Sequence, residues 1–375
     1  MRMILIPDMG KVFRSGQAVC FRGGMAAFHP AARKPSMRLS ANRPATFALL
    51  SLMLVVSACG SDASDSTDAS VAASSSASTD ASAPAPAVAD GDRPVVYASF
   101  YPIEEAARAI GGDSVQVESL TPVGVSPHGV ELSAEVLEGL ENSAAVLYLG
   151  RGFQPAVEKA VASLPSSVVR VDMLADRQML PIDAAVPGLE DDVDGEVLDG
   201  GVDPHVWVDP VRFAAMATDI EAAMVALVPA DAAAITARAG AHRATIEALD
   251  GEFRSGLATC ESKAIVTSHR AFGYLANRYG LEQLPIAGIS PEEEPSPKSL
   301  EAVAVVAKAK GVRVIFFESL VPKELSETVA AEIGVTTDAL DPIEGLTQDD
   351  LDAGGNYVKI QQNNLASLRK GLRCT

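Results

Sequence analysis

From Asp231 the chain runs "DAAAITARAGAHRATIEALDGEFRSGL" without a proline, more than 25 residues of helical composition in mid-sequence. Ordinary domain helices stop sooner, so the stretch predicts a rigid connector with Asp231 as its N-cap. The same alternation lies on both sides of it. Upstream, "PVVYASFYP", "VQVESLTP", "AAVLYLG" and "SVVRVDM" read as strands. They are separated by helical segments ending at Ile110, within "SAEVLEGLENS" and starting near Phe153, and a further helix covers Pro210–Leu227. Downstream, "KAIVTS", "EQLPIAG", "VRVIFFES" and "VTTDAL" alternate with helices predicted from Ala271, Pro297 and Pro322, and a last helix starts at Asn356. Strands alternating with helices imply parallel sheets covered on both faces. The expected fold is α/β: two parallel-sheet domains, 93–228 and 259–375, joined by one long connector helix over 229–258. With 375 residues, 48% of them apolar, the chain can build two cores. Sheets of this kind bind ligands beyond the carboxyl ends of their strands, so residues just after strands are the first candidates.

The front of the chain has a different character. Residues 1–58 hold eight Lys/Arg and one acid, within a total of 30 basic and 49 acidic residues. The body from Cys59 onward is therefore strongly acidic. A formal charge of −19 argues against nucleic acid as a partner and against a basic membrane-binding face. Arg38 and Arg43 precede the apolar run "ATFALLSLMLVVSA", which is followed at once by Cys59. That is a secretory signal, too short to span a membrane as a helix. Met37 opens a leader of normal proportions, so translation is expected to start there, with residues 1–36 lying upstream of it. The ending "VSAC" resembles a bacterial lipobox, which implies a diacylglycerol on the Cys59 thiol and an anchor that does not span the bilayer; an ordinary cleavage site beside a chance cysteine is the alternative. Residues 59–92 are nearly free of large apolar groups and cannot offset their ordering entropy. They are expected to form a disordered tether with a reach of roughly 30 Å. Of four cysteines, Cys20 lies before the cleavage site and Cys59 takes the lipid. Cys260 and Cys374 remain, and outside the cytoplasm two such thiols usually pair. A Cys260–Cys374 bridge would pin the C-terminal helix to the start of the second domain; two buried free thiols are the alternative.

Five histidines can be weighed singly. His29 falls in the leader. His242 lies within the connector, where a solvated helix face accounts for it. His128 in "TPVGVSPHGVEL" and His269 in "AIVTSHRAFGY" follow predicted strands, and His205 in "GVDPHVWVDP" precedes the helix at Pro210. Each taken alone reads more readily as a structural histidine. Taken together, three imidazoles at strand ends point to one rim, and imidazole nitrogen is a favoured donor for a divalent first-row metal. An oxygen donor is expected from "TDALDPIEGLT", with Glu344 the first candidate and Asp341 the second; helix capping or solvation is the competing account of either. Asp203 and Asp209 are candidates to orient an imidazole, and Trp207 to shield the cleft or pack beneath it.

The segments "VSPHGVEL", "DPHVWVDP", "SHRAFGYLANRYGL", "IAGISPEEEPSPKSLEAV" and "LDPIEGLT" resemble the metal-binding solute-binding proteins of bacterial ABC transporters, in particular the zinc-uptake (ZnuA-like) branch. The likeness covers the chain from about Pro94 to its end. It implies a metal cleft between two α/β domains and a monomeric, non-enzymatic, lipid-anchored protein on the extracytoplasmic face of the cell membrane. Such a protein hands Zn2+ to a membrane permease served by a cytoplasmic ATPase. Carried over by motif, the ligands are His128 and His205 from the first domain, and His269 and Glu344 from the second. Manganese-type relatives generally have a carboxylate where this chain has His269, so histidine there favours zinc, with Mn2+ the alternative cargo. Many zinc binders carry a histidine-rich loop before the second ligand. Here the run is "LEDDVDGEVLDGG", acidic and without histidine. An adhesin role is sometimes attributed to lipoproteins of this family. A secreted zinc hydrolase, with the three histidines on the metal and Glu131 as base, is the rival from another class.

Overall fold

The computed structural model describes residues 93–182 and 201–375, which fall within one compact unit, Ala81–Thr375. The leader, the Met37 start, the Cys59 lipid site, the tether over 59–92 and the acidic run from Leu189 lie outside the described residues.

The first half runs β1 (Val95–Ala98), α1 (Tyr101–Gly111), β2 (Gln116–Ser119), α2 (Ala134–Glu141), β3 (Ala145–Tyr148), α3 (Pro155–Ser163), β4 (Val169–Asp172) and α4 (Pro210–Leu227). Next comes α5 (Ala232–Gly256). The second half follows as β5 (Ala264–Thr267), α6 (Gly273–Tyr279), β6 (Glu282–Pro285), α7 (Pro297–Ala309), β7 (Val314–Phe317), α8 (Glu324–Ile333), β8 (Thr336–Ala339), α9 (Gln348–Asp352) and α10 (Tyr357–Leu372). Two four-stranded sheets result, ordered β2-β1-β3-β4 and β6-β5-β7-β8, and every pairing is parallel. The chain thus builds the same doubly wound unit twice, an α/β fold of two domains.

Strand alternation decides which core each side chain enters, because neighbouring residues face opposite sides of a sheet. Val96, Ala98, Ala145 and Leu147 of the first sheet, with Ile265, Val314 and Phe316 of the second, belong to one continuous apolar cluster. Val146 faces the other way, onto α2 and α3, while Val266 and Ile315 face α7 and α8. The inner faces of both sheets therefore share a core with α1, α4, α5 and α10. The connector is part of that core. Ile235, Ala239, Ile246, Leu249 and Phe253 of α5 are all buried in it.

Local signals set several boundaries. Ser133 caps α2 by accepting from Val136 N, Asp209 caps α4 through Val211 N, and Asn356 caps α10 through Lys359 N. Asp231 does occupy the N-cap position of α5, but its side chain makes no capping bond, because a short 3-10 turn over Pro229–Asp231 leads directly into the helix. The short helix α9 had no apolar periodicity to announce it; a reciprocal capping box between Thr347 and Asp350 forms it. His242 is half-buried, its ring edge-on to Phe213 of α4 at 5.8 Å. The expectation of a solvated face fails there because α5 is covered on that side by α4. Cys260 and Cys374 form a disulfide, tying the end of α10 to the entry of β5.

Candidate metal centre

In the second sheet β5 lies between β6 and β7, so the winding reverses between β5 and β7. That switch point opens a crevice at the carboxyl ends of the two strands. His269 stands two residues beyond β5, and Glu318 directly follows β7. His128 comes from the loop after β2, His205 from the loop entering α4, and Glu344 from the loop after β8.

These four donors meet. His128 Nε2 and His205 Nε2 each lie 3.4 Å from Glu344 Oε1, and His269 Nε2 lies 3.1 Å from it. His205 Nε2 and His269 Nε2 are 3.4 Å apart, and one donor atom from each of the four residues fits within 4.8 Å of the others. Donors about 2.0–2.1 Å from a central zinc in tetrahedral array stand roughly 3.3 Å from one another. All four residues are buried. Among the described residues this is the group of His, Cys, Asp and Glu side chains close enough to hold a metal.

The rings are oriented from behind. Asp203 Oδ1 lies 2.8 Å from His205 Nδ1 and accepts from its backbone N at 2.9 Å. Glu318 Oε1 lies 2.7 Å from His269 Nδ1 and accepts from its backbone N at 3.2 Å. Carboxylates only accept, so each of these Nδ1 atoms carries a proton, and in the neutral ring the Nε2 lone pair is turned towards the centre. His128 packs its ring edge-on to Phe153, centroids 4.8 Å apart. Trp207 is fully buried beneath His205, ring centroids 5.1 Å apart, and its Nε1 donates to Pro342 O at 2.8 Å.

Three buried carboxylates, Asp203, Glu318 and Glu344, thus surround three imidazoles. Burial alone would push the Glu344 carboxyl up, but His269 and His128, with hydrogen bonds from His128 and His205, hold it well below its usual range. Burial would likewise lower His269, and Glu318 and Glu344 overcome it to raise that imidazole well above its ordinary value. The field of these carboxylates favours positive charge at the centre, whether a proton on His269 or a metal ion. A dication answers the same field without a buried unpaired charge.

Other candidates are placed elsewhere. Asp341 does not reach the centre: its carboxylate accepts from Ile343 N at 2.6 Å and from Ser319 Oγ, and burial pushes it up to about 7. It shapes the loop that carries Glu344, where Ile343 adopts a left-handed φ of 60°. A β-branched residue pays for such a conformation with strain, and a loop held this firmly aims the neighbouring carboxylate. Asp209 caps α4 and pairs with Arg278, so of the two aspartates only Asp203 touches an imidazole. Glu131 is exposed and lies outside the cluster. Glu318 was not singled out from the sequence. Its signal was available: an acid closing the apolar strand "VIFF" at the carboxyl edge of a parallel sheet.

The family model described as zinc-uptake complex component A, periplasmic (ZnuA), matches residues 96–371. The zinc-binding lipoprotein AdcA of Streptococcus pneumoniae is 33% identical over 287 residues, 75% of this chain and 56% of that protein. This chain thus spans little more than half the length of that relative. The high-affinity zinc uptake system protein ZnuA of Bacillus subtilis is 32% identical over 290 residues, covering 75% of this chain and 88% of that protein. Among solved structures, the Zn(II)-bound ZnuA-like domain of S. pneumoniae AdcA superposes with a TM-score of 0.63 at 31% identity, covering 75% of this chain and 99% of that domain. With the match running from the first strand to the last helix, the chain belongs to the zinc-uptake component A (ZnuA) family.

Proposed function

We propose that this protein captures Zn2+ outside the cytoplasm and delivers it to the permease of an ABC transporter, with His128, His205, His269 and Glu344 as the ligands. The observation that carries the reading is the convergence of three buried imidazole Nε2 atoms on Glu344 Oε1, all within 3.4 Å. Three nitrogens and one oxygen suit zinc better than manganese, which prefers harder, oxygen-rich sets. The fourth protein donor also occupies the position that a catalytic zinc leaves to water, which favours capture over hydrolysis. Lipid anchoring through Cys59 and a flexible tether are part of the same proposal, since they keep the binding protein beside a permease in the same membrane.

The test is metal analysis of protein purified without added metal, followed by competition between Zn2+ and Mn2+ for the apo form. Zinc should win. His205→Ala should fold with the wild-type circular dichroism spectrum and lose most zinc affinity in a chelator competition titration. Unchanged affinity in that variant removes His205 from the site.

A further inference from the structure

Helix α10 carries a buried polar stripe. Tyr357, Gln361 and Asn364 are spaced i, i+4, i+7 and so share one helix face; their exposures are 0%, 0% and 2%. Buried amides and hydroxyls are costly unless bonded, and an apolar stripe would pack at that depth without the cost. What these three bind is the backbone of the ligand-bearing segments. Tyr357 OH donates to Trp207 O at 2.7 Å, and Gln361 Nε2 donates to Val208 O at 3.0 Å. Asn364 Nδ2 donates to Asp341 O at 2.7 Å and its Oδ1 accepts from Asp341 N at 2.8 Å. Trp207 and Val208 follow His205 directly in a single 3-10 turn, and Asp341 opens the turn that ends in Glu344. Neither segment belongs to a sheet or a long helix that could fix it. The helix itself is held at both ends. Glu105 of α1 accepts from Tyr357 N at 2.8 Å, and the Cys260–Cys374 disulfide lies just past the last turn.

We infer that α10 is a positioning strut for the metal centre: Tyr357, Gln361 and Asn364 set the distance between the His205 and Glu344 segments without touching the ion. The inference rests on the zinc-capture reading above. Losing the strut bonds frees two of the four donors to drift by a fraction of an ångström while the core around α10 stays packed.

The test uses the full-length protein and two probes, Zn2+ affinity by chelator competition and the visible absorption of bound Co2+, which reports coordination geometry. Gln361→Met keeps the volume and removes the donor; Tyr357→Phe removes one oxygen. Each, and the pair together, should weaken Zn2+ roughly 10- to 100-fold, the range seen when outer partners of metal ligands are lost, and should change the Co2+ spectrum. Leu368→Ala is the control. Leu368 is buried on the same helix, in the shared core, so this variant should lower the melting temperature and leave the Co2+ spectrum as in wild type. Wild-type affinity and an unaltered Co2+ spectrum in the folded Tyr357→Phe protein overturn the strut. So does a spectral change in Leu368→Ala equal to that of the strut variants. Failure of the wild-type protein to bind Zn2+ at all shows separately in the wild-type arm, and sinks the zinc-capture reading along with the strut.

Discussion

At His269 the two ring nitrogens face different partners, and pH dependence follows from that division. Burial favours the neutral ring, yet Glu318 and Glu344 together raise its pKa well above 6.5. A raised imidazole stabilises the metal-free fold fully below its unfolded value, and the contribution fades as pH climbs through the folded value. Glu344 has the opposite sign: its depressed carboxyl contributes above the ordinary 4.5 and is lost only as pH falls through its lowered value. Between those limits the two shifts favour a charged His269 beside a charged Glu344. Zinc needs the neutral ring, so it competes with that proton. Zinc affinity should therefore keep rising with pH beyond the ordinary histidine range, read by titration at a series of pH values. Glu318→Gln removes one of the charges that hold the proton. It should move the midpoint of that profile to lower pH, and it should weaken zinc roughly tenfold at high pH, where the oriented, more basic imidazole is lost. A profile with the wild-type midpoint would show that Glu318 does not act on the ring.

At the scale of elements, the C-terminal helix is stapled to the start of the second sheet across 114 residues by Cys260 and Cys374. Closing so long a loop restricts the unfolded chain, and the model for that effect gives roughly 4–5 kcal/mol. Cys260→Ser paired with Cys374→Ser should lower the stability measured in denaturant by about that much, and reductant should do the same to the wild type. A loss well below 1 kcal/mol would mean that the unfolded chain gains little freedom there. How far such elements can be read in advance depends on the kind of signal. Val96, Ile265 and Ile315 sit in short apolar runs of the parallel-strand type, so the strands were legible, as were capped helices such as the one begun by Ser133. His128 and His269 were legible as imidazoles just after strands, and His205 as one just before a helix, in a chain with only five histidines. Glu318 and the polar face of α10 were not. An acid ending a strand or a glutamine in a helix looks solvated until tertiary packing buries it, and His242 was misplaced for the same reason. The choice between Glu344 and Asp341 depended on a turn whose left-handed Ile343 has no sequence signature.

At the scale of the whole molecule, the two sheets present their inner faces to one continuous core, and α5 lies within it. A hinge that swung one sheet far from the other would have to expose Ile235, Leu249 and Phe253, at about 25 cal/mol for each Å² of apolar surface bared. Small tilts and loop shifts on zinc capture cost far less, so solution scattering of the apo and zinc-loaded forms should give nearly the same radius of gyration. The same continuity bears on unfolding. Trp207 is the single tryptophan of the chain. It is fully buried, bonded through its indole to Pro342 O, and accepts at its own carbonyl from Tyr357. Its fluorescence therefore reports on the joint between the halves, whereas far-ultraviolet circular dichroism averages the helices of both. If the halves were independent folding units, the joint would open before either sheet melted, and the fluorescence transition would precede the loss of helix. A shared core makes loss of the joint and loss of the sheets one event, so the two denaturation curves of the metal-free protein should coincide. If zinc is held by donors from both halves, as proposed, it should move both curves together by the amount that its affinity and concentration dictate. An early fluorescence transition that zinc shifts alone would divide the molecule into two bodies held together only at the metal.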